Sequence, residues 1–95
     1  MRGLVELLRT YWEQWIWFKV YNHLFLATYV SGDNDICVRL DPYTLDTNEE
    51  MVETTEELGD FFRKYCLHVP DDNEQVLKDV TIAIKTSLGF LDEEE

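Results

Sequence analysis

The chain has 95 residues, with eight Lys and Arg against 20 Asp and Glu, for a formal net charge of −12 at pH 7. Its 45% hydrophobic and 14% aromatic content suffices for one core without metal or disulfide staples, which excludes a disordered acidic polymer. Such an excess of negative charge also excludes direct binding of nucleic acid or of an anionic lipid surface, and it points to a basic protein partner.

The charge is segregated along the sequence. Residues 1–40 carry four basic and four acidic side chains, whereas the remainder carries four basic and 16 acidic ones. The neutral half is also the aromatic one, with Trp12, Trp15, Trp17, Phe18, Tyr21, Phe25 and Tyr29 close together. This division fits a packing platform with an electronegative surface better than it fits an active site.

In chain order, Glu6, Arg9, Thr10 and Glu13 recur at helical spacing beside Leu4, Leu7, Leu8, Tyr11 and Trp12, which predicts an amphipathic helix over residues 3–14. Lys19 falls off that stripe, and Ile16, Phe18 and Val20 alternate with Trp15, Trp17, Lys19 and Tyr21, the pattern of a strand. Asn22-His23 is the expected tight turn, because Asn tolerates positive φ, and residues 24–30 follow as a second strand. Ser31-Gly32-Asp33-Asn34-Asp35 reads as a further turn, before a third strand in which Ile36, Val38 and Leu40 alternate with Cys37 and Arg39.

Thr47-Asn48-Glu49-Glu50 has the form of a capping box and predicts a helix with Met51, Thr55, Leu58, Phe62 and Tyr65 on its apolar side. Thr54-Thr55-Glu56-Glu57 offers a second start, which would leave residues 49–53 as a loop or short strand. Asp71 or Asp72 caps a last helix with Val76, Val80, Ala83, Ile84 and Ser87 on one face, and Gly89 suits its left-handed end. The expected architecture is α+β: an N-terminal helix, a three-stranded antiparallel meander and two C-terminal helices in a single domain over residues 1–91, with an acidic tail at 92–95. The alternative is an all-α fold in which the first helix runs on to about Tyr29.

The amino terminus lacks the unbroken apolar stretch of a signal peptide, and the most apolar run is interrupted by Lys19, Asn22 and His23 short of a bilayer span. The expectation is a soluble cytoplasmic protein, or one of the host cytoplasm if its source is viral, with Cys37 and Cys66 as free thiols. Cys66, His68 and Cys37 lack paired ligand spacing, so neither zinc nor any other cofactor is expected. Asp33-Asn34-Asp35 opens like a calcium loop, but Val38 and Thr44 stand where Gly and Glu are needed. His23 and His68 accompany no nucleophile signature or phosphate-binding loop, so an enzyme is not expected.

The candidate partner-binding residues are Glu49, Glu50, Glu53, Glu56, Glu57 and Asp60. On one helix, Glu49, Glu53, Glu56 and Asp60 would form a row of anions with axial spacings of about 4.5 to 6 Å, comparable to phosphates along a nucleic-acid strand. A second candidate interface is Trp15, Trp17 and Tyr21, an anchor for a partner or a second copy if the helices cover the other side of the strand, and core if they cover this one. The leading expectation is an inhibitor that mimics nucleic acid on a basic groove, of the kind a phage directs at a CRISPR effector or restriction enzyme. An immunity protein for a nuclease toxin shares that chemistry. An acidic chaperone or adaptor that docks through its aromatic strand is the alternative of a different class.

Overall fold

The computed structural model describes residues 2–11, 14–30, 35–40 and 49–89, with 35–40 and 49–50 described by their backbone only. Helix α1 (Arg2–Thr10) leads into a meander of β1 (Ile16–Val20), β2 (His23–Val30), β3 (Asp35–Leu40) and β4 (Glu49–Val52), followed by α2 (Thr55–Tyr65) and α3 (Asn73–Ser87). The strands are antiparallel neighbours in chain order. The mixed α+β reading therefore holds, with a fourth strand added to the meander, and the long N-terminal helix is excluded. The proposed tail and the Ser31 to Asn34 part of the second turn lie outside the described residues.

The β1–β2 turn is one residue earlier than expected. Tyr21 and Asn22, with φ of 52° and 65°, are its central residues, and Val20 faces His23 across it. Two-residue hairpins favour positive φ at both positions because that backbone matches the strand twist. An aromatic residue rarely accepts it, but Tyr21 gains tertiary contacts in return. Its hydroxyl donates to Asp79 Oδ2 on α3 at 2.7 Å, and its ring meets Phe62 edge-on at 6.2 Å.

Helix α2 takes the later of the two starts. Thr54 is its N-cap, the Thr54 hydroxyl accepts from the Glu57 amide, and Glu57 Oε1 accepts from the Thr54 amide. Apolar spacing does not decide between the boxes, because Leu58, Phe61 and Phe62 fall on one buried side from either start; strand pairing of the preceding residues does. A start at Thr47 would extend the helix through Glu49, Glu50 and Glu53, whose mutual repulsion costs stability. Residues 49–52 instead pair with β3, placing Val52 opposite Ile36 and burying it to 1% exposure.

Ile16, Phe18, Phe25, Ala27 and Val52 face the helices and meet Leu4, Val5 and Leu8 of α1, Leu58, Phe61 and Phe62 of α2, and Val76, Val80 and Ile84 of α3. Phe62 is the centre of the aromatic part, with ring centroids 4.7 Å from Phe25, 5.2 Å from Phe61 and 6.3 Å from Phe18. Asp72 caps α3 by accepting from the Glu74 amide. Gly89 follows the last turn with φ 85°, as the sequence predicts.

Gly59 is set by close approach. A Cβ there would lie 2.3 Å from Asn73 Oδ1 and 2.9 Å from Arg63 Nη1, and Arg63 Nη2 donates to that same Asn73 oxygen at 2.6 Å. Gly59→Ala gains about 1 kcal/mol of helix propensity but must displace a charge-assisted hydrogen bond worth about 1.5 to 3 kcal/mol. The expected outcome in urea unfolding is a net loss of stability. In an Asn73→Ala background the same substitution should become stabilising, and loss of similar size in both backgrounds would refute the account.

Candidate functional site

The acids predicted as one helical row divide between elements. Glu49 and Glu50 belong to β4, opposite Arg39 and Val38 in register, and Glu53 precedes the cap of α2. Only Glu56, Glu57 and Asp60 lie on the helix. The single row with a pitch of one helical turn is therefore corrected: backbone pairing of β4 replaces its first turn, and Glu56 and Asp60 alone keep the i, i+4 relation. Glu57 is also committed to the capping box, where Oε1 accepts from the amides of Glu53 and Thr54.

A different group of acids lies on the elements that Arg63 fastens to one another. Its guanidinium donates to the carbonyl oxygens of Pro70 and Asp71 and to Asn73 Oδ1, and Nη1 lies 3.6 Å from Asp60 Oδ1. These bonds hold the α2–α3 connection, with its positive-φ His68, against the middle of α2. Exposed Glu56, Asp60, Asp71, Asp72 and Glu74 thereby occupy the helical side of the molecule on linked backbone. Asp79 stands apart from this group, since it is half-buried and accepts from Tyr21 and from Gln75 Nε2.

Three of these acids, and Glu57 beside them, also serve the helices. Glu56 and Glu57 lie in the first turn of α2, Asp72 caps α3, and Glu74 lies in its first turn. Carboxylates there are favoured by the helix dipole, each by about 0.3 to 1 kcal/mol. The sequence signal for Asp71, Asp72 and Glu74 was their position before the last helix. The reach of Arg63 had none, because a basic residue in the last turn reads only as a dipole partner.

The predicted aromatic trio also divides. The helices cover the face of Ile16 and Phe18, so Trp15 and Trp17 are not core and stand 38% and 40% exposed. Tyr21 leaves their side of the strand because the turn swings it towards α3. Trp17 is paired with Leu26 and Lys19 with Leu24. Between β1 and α3 lies a groove of about 620 Å³, with Trp17, Lys19, Tyr21, Asp79 and Ile82 among its lining residues. It is bridged by the Tyr21–Asp79 bond and by a hydrogen bond from the Ser87 hydroxyl to the Trp17 carbonyl.

Lys19 and Asp79 are the charged side chains lining that groove, and Asp79 is held by its two donors. Among the described residues, no three His, Cys, Asp or Glu side chains converge as metal ligands. His23 and His68 are both exposed, and the side chain of Cys37 lies outside the described residues. No described helix is long and apolar enough to cross a membrane.

Cys66 is a free, buried thiol, and burial pushes it from 9.0 up to about 11. Burial, reinforced by the hydrogen bond and negative charge of Asp79, raises the Tyr21 phenol well above its ordinary 10.0. Both groups hold their protons more tightly in the folded state, so the unfolded chain ionises first as pH rises. Their contribution to stability is complete below pH 9.0 and falls as pH passes 9.0 for the thiol and 10.0 for the phenol. Thermal melts from neutral to alkaline pH should show this decline, with Cys66→Ala removing its earlier part and Tyr21→Phe its later part. Identical pH profiles for all three proteins would exclude these groups as its cause.

No protein-family model matches the chain, and no curated protein or solved structure does so either.

Proposed function

We propose that this protein is a non-catalytic inhibitor whose acidic helical side occupies the basic, nucleic-acid-binding surface of another protein. The observation that carries the reading is the set of exposed acids Glu56, Asp60, Asp71, Asp72 and Glu74 on two helices whose connection Arg63 fastens through Asp60, the Asp71 carbonyl and Asn73, in a chain whose residues 14–30 contain no acid. Carboxylates on two helices and their connection offer a basic groove several anions at once. Long-range attraction would speed encounter, and a nucleic-acid groove supplies the cations. A nuclease is the natural target. A phage inhibitor of a defence nuclease and an immunity protein for a nuclease toxin are two settings of this one interaction, both cytoplasmic.

A second reading, an adaptor or chaperone subunit, draws on the exposure of Trp15 and Trp17. Tryptophan is enriched in interface hot spots. Its partner would be held by apolar contact, and salt would weaken it little.

Glu56→Lys combined with Asp60→Lys tests the first reading. Both residues are exposed, and Asp60 gives up only a surface ion pair, so the fold should lose no more than about 1 kcal/mol. Native protein immobilised on resin should retain nucleic-acid-binding proteins from lysate at low salt, and the reversed protein should retain them at least about tenfold less. The difference should shrink at high salt. If the reversed protein retains the same partner as well as the native one, the acids are a solvated surface; if Trp17→Ala alone loses it, the adaptor reading replaces the first.

A further inference from the structure

The edge of β1 offers the β1–α3 groove a main-chain donor and acceptor on one residue. The two-residue turn at Tyr21-Asn22, with both φ positive, makes Val20 and His23 a hydrogen-bonded pair. Alternation along an antiparallel ladder then makes Phe18 with Phe25 and Ile16 with Ala27 the next such pairs. Trp17 and Lys19 therefore direct their main-chain groups away from β2. The Trp17 carbonyl shows where they go, since it accepts from Ser87 on α3. Among the described residues, no hydrogen bond from outside the sheet reaches the Lys19 amide or carbonyl, and Lys19 lines the groove.

We propose that this groove is a peptide-binding site, in which a short extended segment of another protein adds to β1 opposite Lys19. A residue in strand conformation presents its N–H and C=O to one side, the complement of what Lys19 presents, so the segment is held by its main chain. The groove, of about 620 Å³, has the size of an ordinary ligand site, roughly 300 to 1,000 Å³. Its two bridges, Ser87 to Trp17 and Tyr21 to Asp79, limit the length. They stand about 13 Å apart along the strand and about 12 Å apart along the helix, which admits about three or four extended residues. The central residue pairs with Lys19, and the pleat turns the side chains on either side of it towards Ile82 and Ala83 on α3. Trp17 and Ile82, on the two walls, are 40% and 47% exposed, so an occupant that covers them gains apolar contact. Charge does not select the occupant. Lys19 and Asp79 are opposite in sign, and both Asp79 oxygens already accept, from Tyr21 and from Gln75. The segment is therefore uncharged, with apolar side chains at alternate positions, and its binding is independent of the acidic helical side.

Nuclear magnetic resonance titration of the isotope-labelled full chain with the blocked peptide acetyl-Thr-Val-Thr-Val-Thr-amide tests the proposal. The Lys19 amide resonance should move and saturate, with affinities at low and high salt equal within about twofold, because the peptide carries no charge to be screened. Capture of a basic partner by the acidic side falls with salt, so the two readings fail separately. The same peptide methylated on the nitrogen of its central residue loses the donor to the Lys19 carbonyl and should bind at least about tenfold more weakly. Ile82→Glu should weaken binding by about the same factor, whereas Glu56→Lys combined with Asp60→Lys should leave it unchanged. Circular dichroism checks folding, and the methylated peptide decides alone if Ile82→Glu does not fold. Absence of a saturable shift at Lys19 would overturn the proposal. So would equal binding of the methylated peptide, equal binding by folded Ile82→Glu, or loss of binding with the Glu56 and Asp60 changes. A Lys19 resonance that moves with protein concentration before peptide is added would also overturn it, by giving the groove to a second copy.

Discussion

The contact between Phe25 and Phe62 holds the two halves of the chain together. Phe25 is at the centre of the acid-free hairpin and Phe62 on the acidic helix, their ring centroids 4.7 Å apart at 75°, and both are fully buried. Edge-to-face pairs of this kind contribute about 0.5 to 1.5 kcal/mol beyond the area they bury. Phe18, Phe61 and Tyr21 complete the ring contacts around Phe62. Because these partners come from β1, the hairpin turn and α2, the register of α2 is fixed by its aromatic side. Its exposed side, with Glu56, Asp60 and Lys64, is then fixed as well.

Burial on one side of α2 has an electrostatic consequence on the other. Four acids at the N-terminal ends of α2 and α3 meet favourable dipoles, which offsets part of their mutual repulsion. Arg63 offsets more of it while performing a structural task, since four of its contacts run to the α2–α3 connection and to Asn73. Gly59 is required because that connection passes so close to α2. The acidic side is therefore a consequence of how two helices begin and how they are joined, and a partner surface could be built on it at little cost in stability.

Local chemistry made much of this legible in the sequence. Alternation around Ile16 and Phe18, the apolar spacing of Val76, Val80 and Ile84, the Asp72 cap and the left-handed Gly89 each have a short-range cause. The failures involve competition between two locally acceptable choices. Thr47 and Thr54 both open capping boxes, and pairing of β4 with β3, a contact distant in sequence, selects Thr54. Asn22-His23 is a better turn than Tyr21-Asn22 by propensity alone. Asp79 and Phe62, 58 and 41 positions further along the chain, reward Tyr21 for its uncommon φ. The candidate acidic row failed with the first of these choices, whereas the alternation that placed Trp15 and Trp17 on one strand face survived.

Alternation alone cannot say which strand face the helices take, because both faces of β1 carry large apolar side chains. The partner strand settles it. Phe25 and Ala27 lie opposite Phe18 and Ile16, and a large ring beside a small methyl leaves room for Phe61 and Phe62 to enter from the helical side. On the other face Leu24 and Leu26 lie opposite Lys19 and Trp17. There the long side chains cover Leu26 without a helix above them, and the indoles keep a substantial part of their surface exposed. The result is a sheet with a packed face towards the helices and a second, shallower apolar face turned away from them, on which Trp15 and Trp17 keep much of their surface exposed.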